Sequence, residues 1–421
     1  MCFAPPNLTV LRRTALGTAL ALGLPVPLSA AESTAAAEQN RPLAAAHPGD
    51  QGDSQPQAIQ QLIAELGDPS FAVRQRTSRR LEELGLVAKP ALVAGLQDPD
   101  AEVRHRVRRI LVRVLELDFE NRIAAFAAGK SATADDLPGW MLLKSIAGDG
   151  PAVRQLFIEA IRGEPLLLEA LDQGHTYAAQ AVVLRTQQLY QARLRNPNAR
   201  QNLANNSQFA ASVAALLIVI ADGETELDER TASMIFQMMH RSALLRRLGS
   251  REQPVRALVG VFIQRTAETS MAYQSLWTAM QYNLKEGLIA ATAIIRRGEQ
   301  RPYVLQDAIL AIGKLGTKEH IKLLTPLLAD DTALSHQFNR QATKSITPQV
   351  RDVALAVIIH LSGEKPQDYG YTTIQQDPIR LFRSNTMRFS SDAKRAAALK
   401  TWQERLAAQP RDPASQQSAS N

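Results

Sequence analysis

The stretch "GDPSFAVRQR" begins at Gly67, and thirty residues on, from Gln97, the chain reads "QDPDAEVRHR". Asp68 and Asp98, Pro69 and Pro99, Val73 and Val103, and Arg74 and Arg104 coincide at that single offset. A unit this short cannot bury an apolar face alone, so a chain that repeats it must stack the copies, each covering the next.

The text around the repeat reads as helices. Ile59, Leu62, Ile63 and Leu66 fall at i, i+3, i+4 and i+7, one helical face, and Gly67 ends it. Ser70 or Asp68 caps the next helix, whose inner face is Val73, Thr77, Leu81 and Leu84, with Gly85 as its stop. Pro90 suits a first helical turn, followed by Leu92 and Leu96. Asp98 opens a third helix with the stripe Val103, Val107, Ile110, Leu111 and Val114. Aromatic residues make up 5% of the chain, and runs of strand-forming residues are scarce, so the predicted fold is all-α.

These features resemble the HEAT-like repeat family, whose units carry an Asp-Pro turn and a Val-Arg pair at a helix start. The close match covers 58–117. Near the other end, "PQVRDVALAVIIHLSG" restores the pair at Val350 and Arg351, and "DYG" and a helix containing Trp402 follow. Over about 305–406 the text is similar to the closing segment of a group of exported bacterial HEAT-like proteins. The resemblance implies an α-solenoid, a right-handed superhelix of antiparallel helix pairs, and export. It implies no reaction.

The organisation expected from the sequence has seven parts. Residues 1–31 read as a signal peptide: Arg12 and Arg13, then the apolar "TALGTALALGLPVPL", then "SAA". Residues 32–57, rich in Ala, Gln, Pro, Gly and Ser, read as a disordered linker. Regular repeats follow over 58–117, irregular helical repeats over 118–300, and C-terminal repeats over 301–363. A capping segment spans 364–406 and a disordered tail 407–421. Loss of the first segment removes the single cysteine, Cys2, and takes the net charge from +7 to +5 through Arg12 and Arg13. A mature chain of that kind has no thiol chemistry, and its mild charge does not compel a nucleic-acid partner. The run Phe209–Ala221 has 13 uncharged residues, short of the ~20 that span a bilayer. It reads as a helix buried on all sides, so no transmembrane span is expected in the mature chain.

A search for chemistry returns little. The histidines have no His or Cys neighbour at ligand spacing, and neither a nucleophile elbow nor a phosphate-binding glycine loop occurs. No catalytic residue, cofactor or metal is expected. "ADGETELDE" lacks calcium-loop spacing, because Gly223 follows Asp222 directly. It reads as a helix stop and an acidic first turn. "VRHRVRRILVR" carries five arginines, with Arg104 supporting the turn through an Asp such as Asp68. Arg106 and Arg109 are then candidates for an acidic partner.

The strongest candidate is an insertion. Asp68 and Asp98 precede their Val by five residues, whereas Asp330 precedes Val350 by twenty. The extra text, near "DTALSHQFNRQATKSITP", suggests a short β-hairpin within 334–347. Phe338 is the expected apolar contact, with Arg340 and Lys344 selecting an acidic partner. The function expected is an exported, non-catalytic scaffold for a protein or peptide, in the periplasm or cell envelope. The alternative is an enzyme or accessory subunit acting on envelope polymers through dispersed residues.

Overall fold

The computed structural model describes residues 54–129, 137–195, 206–250, 252–299, 301–334 and 347–408. The chain divides after Leu62, inside its first described helix, Ser54–Glu65. All packing below concerns residues from Ile63 onward. That helix starts at Ser54 rather than at 58, so the last residues of the expected linker are helical. Gln55, Gln57 and Ala58 are compatible with a helix, and Pro56 falls in its first turn, where the missing N–H costs no intrahelical bond.

Among the described residues the fold is helical, with one two-stranded antiparallel ribbon, Gln376–Asp377 against Leu381–Phe382. The repeated text starts two of the helices, Phe71–Leu84 and Ala101–Ala127. The pair of arginines does the same thing at both. Arg74 Nη1 donates to the carbonyls of Asp68 at 2.6 Å and Pro69 at 2.9 Å, and Arg104 Nη1 donates to those of Asp98 at 2.6 Å and Pro99 at 2.8 Å. The Asp carboxylates meanwhile accept from the backbone two residues on, Ser70 N–H at 2.7 Å and Asp100 N–H at 2.8 Å. Each motif is therefore a self-contained turn, with acid, proline and arginine satisfying one another's backbone. Arg104 thus supports its own turn by backbone carbonyls, not the carboxylate of Asp68.

The cap of the helix expected to open at Asp98 also lies two residues later. Asp100 is the N-cap, and its side chain accepts from Glu102 N–H at 2.8 Å. Asp100→Ala is expected to cost about 1 kcal/mol, as for other lost caps. Val103, 3% exposed, should cost about 2 kcal/mol when cut to Ala, by transfer plus void. Urea melts of the two variants check both values, and equal, negligible effects would overturn this register.

The helix Ala101–Ala127 runs past the boundary expected at 117, since "ELDFENRIAAFA" contains no Gly or Pro to stop it. Its far end enters a first apolar cluster. Phe126 meets Trp140 and Phe157 edge-on and those two rings are tilted against each other, with centroids 4.7–5.4 Å apart. The Arg154 guanidinium lies 5.0 Å from the Phe126 ring and 5.3 Å from that of Trp140. At the centre of this cluster is the helix Ser207–Ile220, every residue of which from Phe209 onward is buried. The uncharged run is a core helix, as its length predicts. Glu164 is buried beside it, accepting from Arg185 Nε at 2.8 Å, Arg185 Nη2 at 2.6 Å and Ser212 Oγ at 2.5 Å.

A second apolar cluster gathers the helices Gly287–Arg296, Pro302–Leu315 and Val350–Leu361 with the closing segment. Gly313 permits this approach: a Cβ there would stand 2.8 Å from Val357 Cγ1 and 2.7 Å from Leu381 Cδ2. The ribbon lies over the same helix, with Lys314 Nζ donating to the carbonyls of Pro378 and Ile379 at 2.6 and 2.8 Å. Trp402 is buried in this cluster, which also holds Ile358 and Ile359. Its helix, Asp392–Ala408, is pinned by Arg395, whose Nε and Nη2 grip the Asp352 carboxylate at 2.7 and 3.1 Å. Both side chains are almost fully buried.

Candidate functional site

The expected insertion begins at a defined neck. Ala333 and Gln349 face each other in an isolated antiparallel bridge. Leu334 N–H donates to Pro348 C=O at 2.7 Å, and Val350 N–H donates to Thr332 C=O at 3.0 Å. Arg351 N–H adds a bond to Asp330 C=O at 2.9 Å. The two strands of the neck therefore enter and leave at one point, directly before the Val350–Leu361 helix. Leu334 is buried and belongs to the second apolar cluster, so the neck is packed as well as hydrogen-bonded. Phe338, Arg340 and Lys344, with the body of the hairpin expected in 334–347, lie outside the described residues.

The basic helix face divides its arginines between structure and solvent. Arg106 Nε donates to Glu102 Oε1 at 2.7 Å, and its side chain is only 13% exposed. Arg106 is thus committed to an i, i+4 pair, because Glu102 sits one turn upstream, and it is not the free contact expected. Arg109 is exposed.

Two residues far apart in sequence meet beside a cleft. His175 begins the helix His175–Arg195, and Asp222 follows the buried Ser207–Ile220 helix. His175 Nδ1 lies 2.6 Å from Asp222 Oδ2, and Nε2 lies 3.5 Å from Glu224 Oε2. Thr225 Oγ1 donates to the same carboxylate at 2.6 Å. The guanidinium of Arg265 holds the turn from below, donating to the carbonyls of Ile220, Asp222 and Thr225 at 2.5–2.7 Å. The cleft, of about 490 Å³, is walled by Leu137, Met141, Leu142 and Leu171 and edged by Asp172, His175 and Asp222. The rest of the acidic stretch behaves as read: Asp228 caps the helix Glu229–Arg241 by accepting from Thr231 N–H at 2.9 Å.

The hydrogen bond to Asp222 and then its charge raise the His175 pKa above the ordinary imidazole value. Burial works to raise Asp222, but the Thr225 hydroxyl and the His175 ring outweigh it and hold the carboxyl below its usual range. The pair is a charge-assisted tie between two helix ends. Because the folded His175 pKa is raised, its stabilisation is complete below the ordinary value and is lost as pH rises through the raised one. Proton NMR of the His175 ring should show a midpoint above the ordinary value, and Asp222→Asn should bring it down. An unchanged midpoint in that variant would remove Asp222 as the cause.

The tie spans 47 residues and had no local signal. Arg256 did have one, in "PVRAL": it repeats the Val-Arg start, and its guanidinium donates to the carbonyls of Tyr282 and Asn283, both at 2.9 Å. Among the described residues no group of three or more metal-ligating side chains converges, and no helix is long and apolar enough to cross a membrane. No protein family, curated protein or solved structure was found to match the chain.

Proposed function

We propose that the chain is an exported, non-catalytic scaffold of the HEAT-like kind, whose helix pairs wind as a right-handed superhelix and bind a protein or peptide. The observation that carries this reading is the neck at Ala333 and Gln349. A bridge packed onto the second apolar cluster presents whatever lies between its ends from a rigid base, and binding residues concentrate on loops held that way. Phe338 supplies the apolar contact in this proposal, and Arg340 and Lys344 select an acidic partner. The buried charges support it in another way. Glu164 with Arg185, and Asp352 with Arg395, are spent on joining helices, which is what a rigid array requires.

Replacing 335–346 by a five-residue turn, which keeps Leu334 and the neck bonds, tests it. The neck already holds the two ends together, so the fold should survive with its melting temperature unchanged. Capture of an acidic protein from an envelope extract should weaken. Capture of the same proteins with the same affinity would place the contact elsewhere. The enzymatic alternative is favoured by one observation, the His175–Asp222 pair beside the cleft. It predicts cleavage of envelope polymers that His175→Ala abolishes.

A further inference from the structure

A second cleft, of about 510 Å³, lies between the helix Gly287–Arg296 and the turn Lys318–His320. Its lining combines apolar Leu288, Ile289 and Ala293 with cationic Arg296, Arg297 and His320. Ile289 is 41% exposed, an aliphatic side chain left in water beside charge.

The three basic groups are not equivalent. Arg297 donates through Nη2 to the backbone carbonyl of Glu268. Arg296, exposed in the last turn of its helix, makes no hydrogen bond or ion pair among the described residues. His320 Nδ1 accepts from Thr317 N–H at 3.2 Å, which leaves its proton on Nε2 as a donor. Gly316 makes room for that ring: a Cβ there would lie 3.2 Å from His320 Nδ1 and 2.5 Å from Ile312 C=O. Exposed Lys318 and Lys322 continue the positive charge past the imidazole, against the single carboxylates of Glu268 and Glu319.

We infer that this cleft binds an acidic peptide segment, with an aliphatic side chain against Ile289 and Ala293 and a carboxylate on Arg296 and the His320 Nε2–H. The inference rests on the scaffold reading and gives it a second contact, on described residues away from the insertion neck. Charge complementarity selects the occupant. A bidentate guanidinium suits a carboxylate. Glu268 in the lining offers a carboxylate for a peptide backbone N–H, a donor that a phospholipid does not supply.

The test uses the mature chain and two labelled probes, Ac-Glu-Glu-Leu-Glu-Glu-amide and its Lys-flanked counterpart, by fluorescence anisotropy, with phosphatidylglycerol vesicles as a third ligand. The acidic peptide should bind and the basic one should not. Arg296→Glu should weaken binding by about tenfold or more, since a charge-assisted bond is lost and a repulsion gained. Ile289→Asp should weaken it as well. Both positions are exposed, and an unchanged melt shows that the fold is intact. Equal affinity in wild type and Arg296→Glu overturns the inference, as does binding to vesicles alone. Envelope capture separates this from failure of the scaffold reading. If Arg296→Glu retains every partner of the wild type, the cleft is not the contact and the scaffold stands. If the wild type captures nothing, the scaffold reading itself fails.

Discussion

Arg395→Ala is expected to destabilise the protein by about 3–5 kcal/mol, the cost of stripping the counter-charge from a buried carboxylate. Asp352 accepts from both arms of Arg395 and from Gln349 N–H at 2.9 Å, and its backbone carbonyl accepts from Tyr371 Oη at 2.5 Å. Burial pushes the Asp352 pKa up, against the hydrogen bond and charge of Arg395. Without the guanidinium, only the Gln349 N–H and the charge of Arg351 oppose the burial penalty. The pair itself contributes less than its loss costs, so Asp352→Leu with Arg395→Met should recover most of the stability. Equilibrium urea unfolding of the single and double variants measures both. A loss under about 1 kcal/mol for Arg395→Ala would mean that water reaches the carboxylate.

Truncation after Gly363 should do more damage still. It removes Tyr371, Met387, Phe389 and Trp402, all buried in the second apolar cluster, and the whole partner of Asp352. Deleting one buried aromatic side chain typically costs about 3–5 kcal/mol, and here several go together. The shortened chain is expected to be poorly soluble and to bind an apolar dye. A truncated chain with the solubility and melting temperature of the full one would show Asp392–Ala408 to be a free appendage, despite the burial of Trp402 in the cluster that holds Ile358 and Ile359.

The helix starts were legible because each carries its own chemistry. Asp68-Pro69 with Arg74, and Asp98-Pro99 with Arg104, close their turns within six residues, so a short window of sequence contains the whole structure. The buried run Phe209–Ile220 was legible for a similar reason, since its composition leaves no polar face. What escaped was set by distant partners. Arg395 meets Asp352 across 43 residues and His175 meets Asp222 across 47. The ribbon at 376–382 has no alternating pattern to announce it. It is held by Asp377 Oδ1, which accepts from Ile379 and Arg380 N–H at 2.8 Å, and by the docking of Arg380 onto Asp307 at 2.9 Å and over the Trp277 ring.

The bridge between Ala333 and Gln349 has a consequence for how such a protein changes over time. The entropy of bringing the insertion's ends together is settled by the fold, through Leu334 and Val350, before the inserted text contributes anything. Each doubling of length between those ends then adds only about 0.6 kcal/mol. Lengthening, shortening or wholesale exchange of that text leaves the rest of the molecule nearly indifferent. Mutation can therefore explore new specificities there at little thermodynamic risk. The same point is a natural port for grafting a foreign peptide.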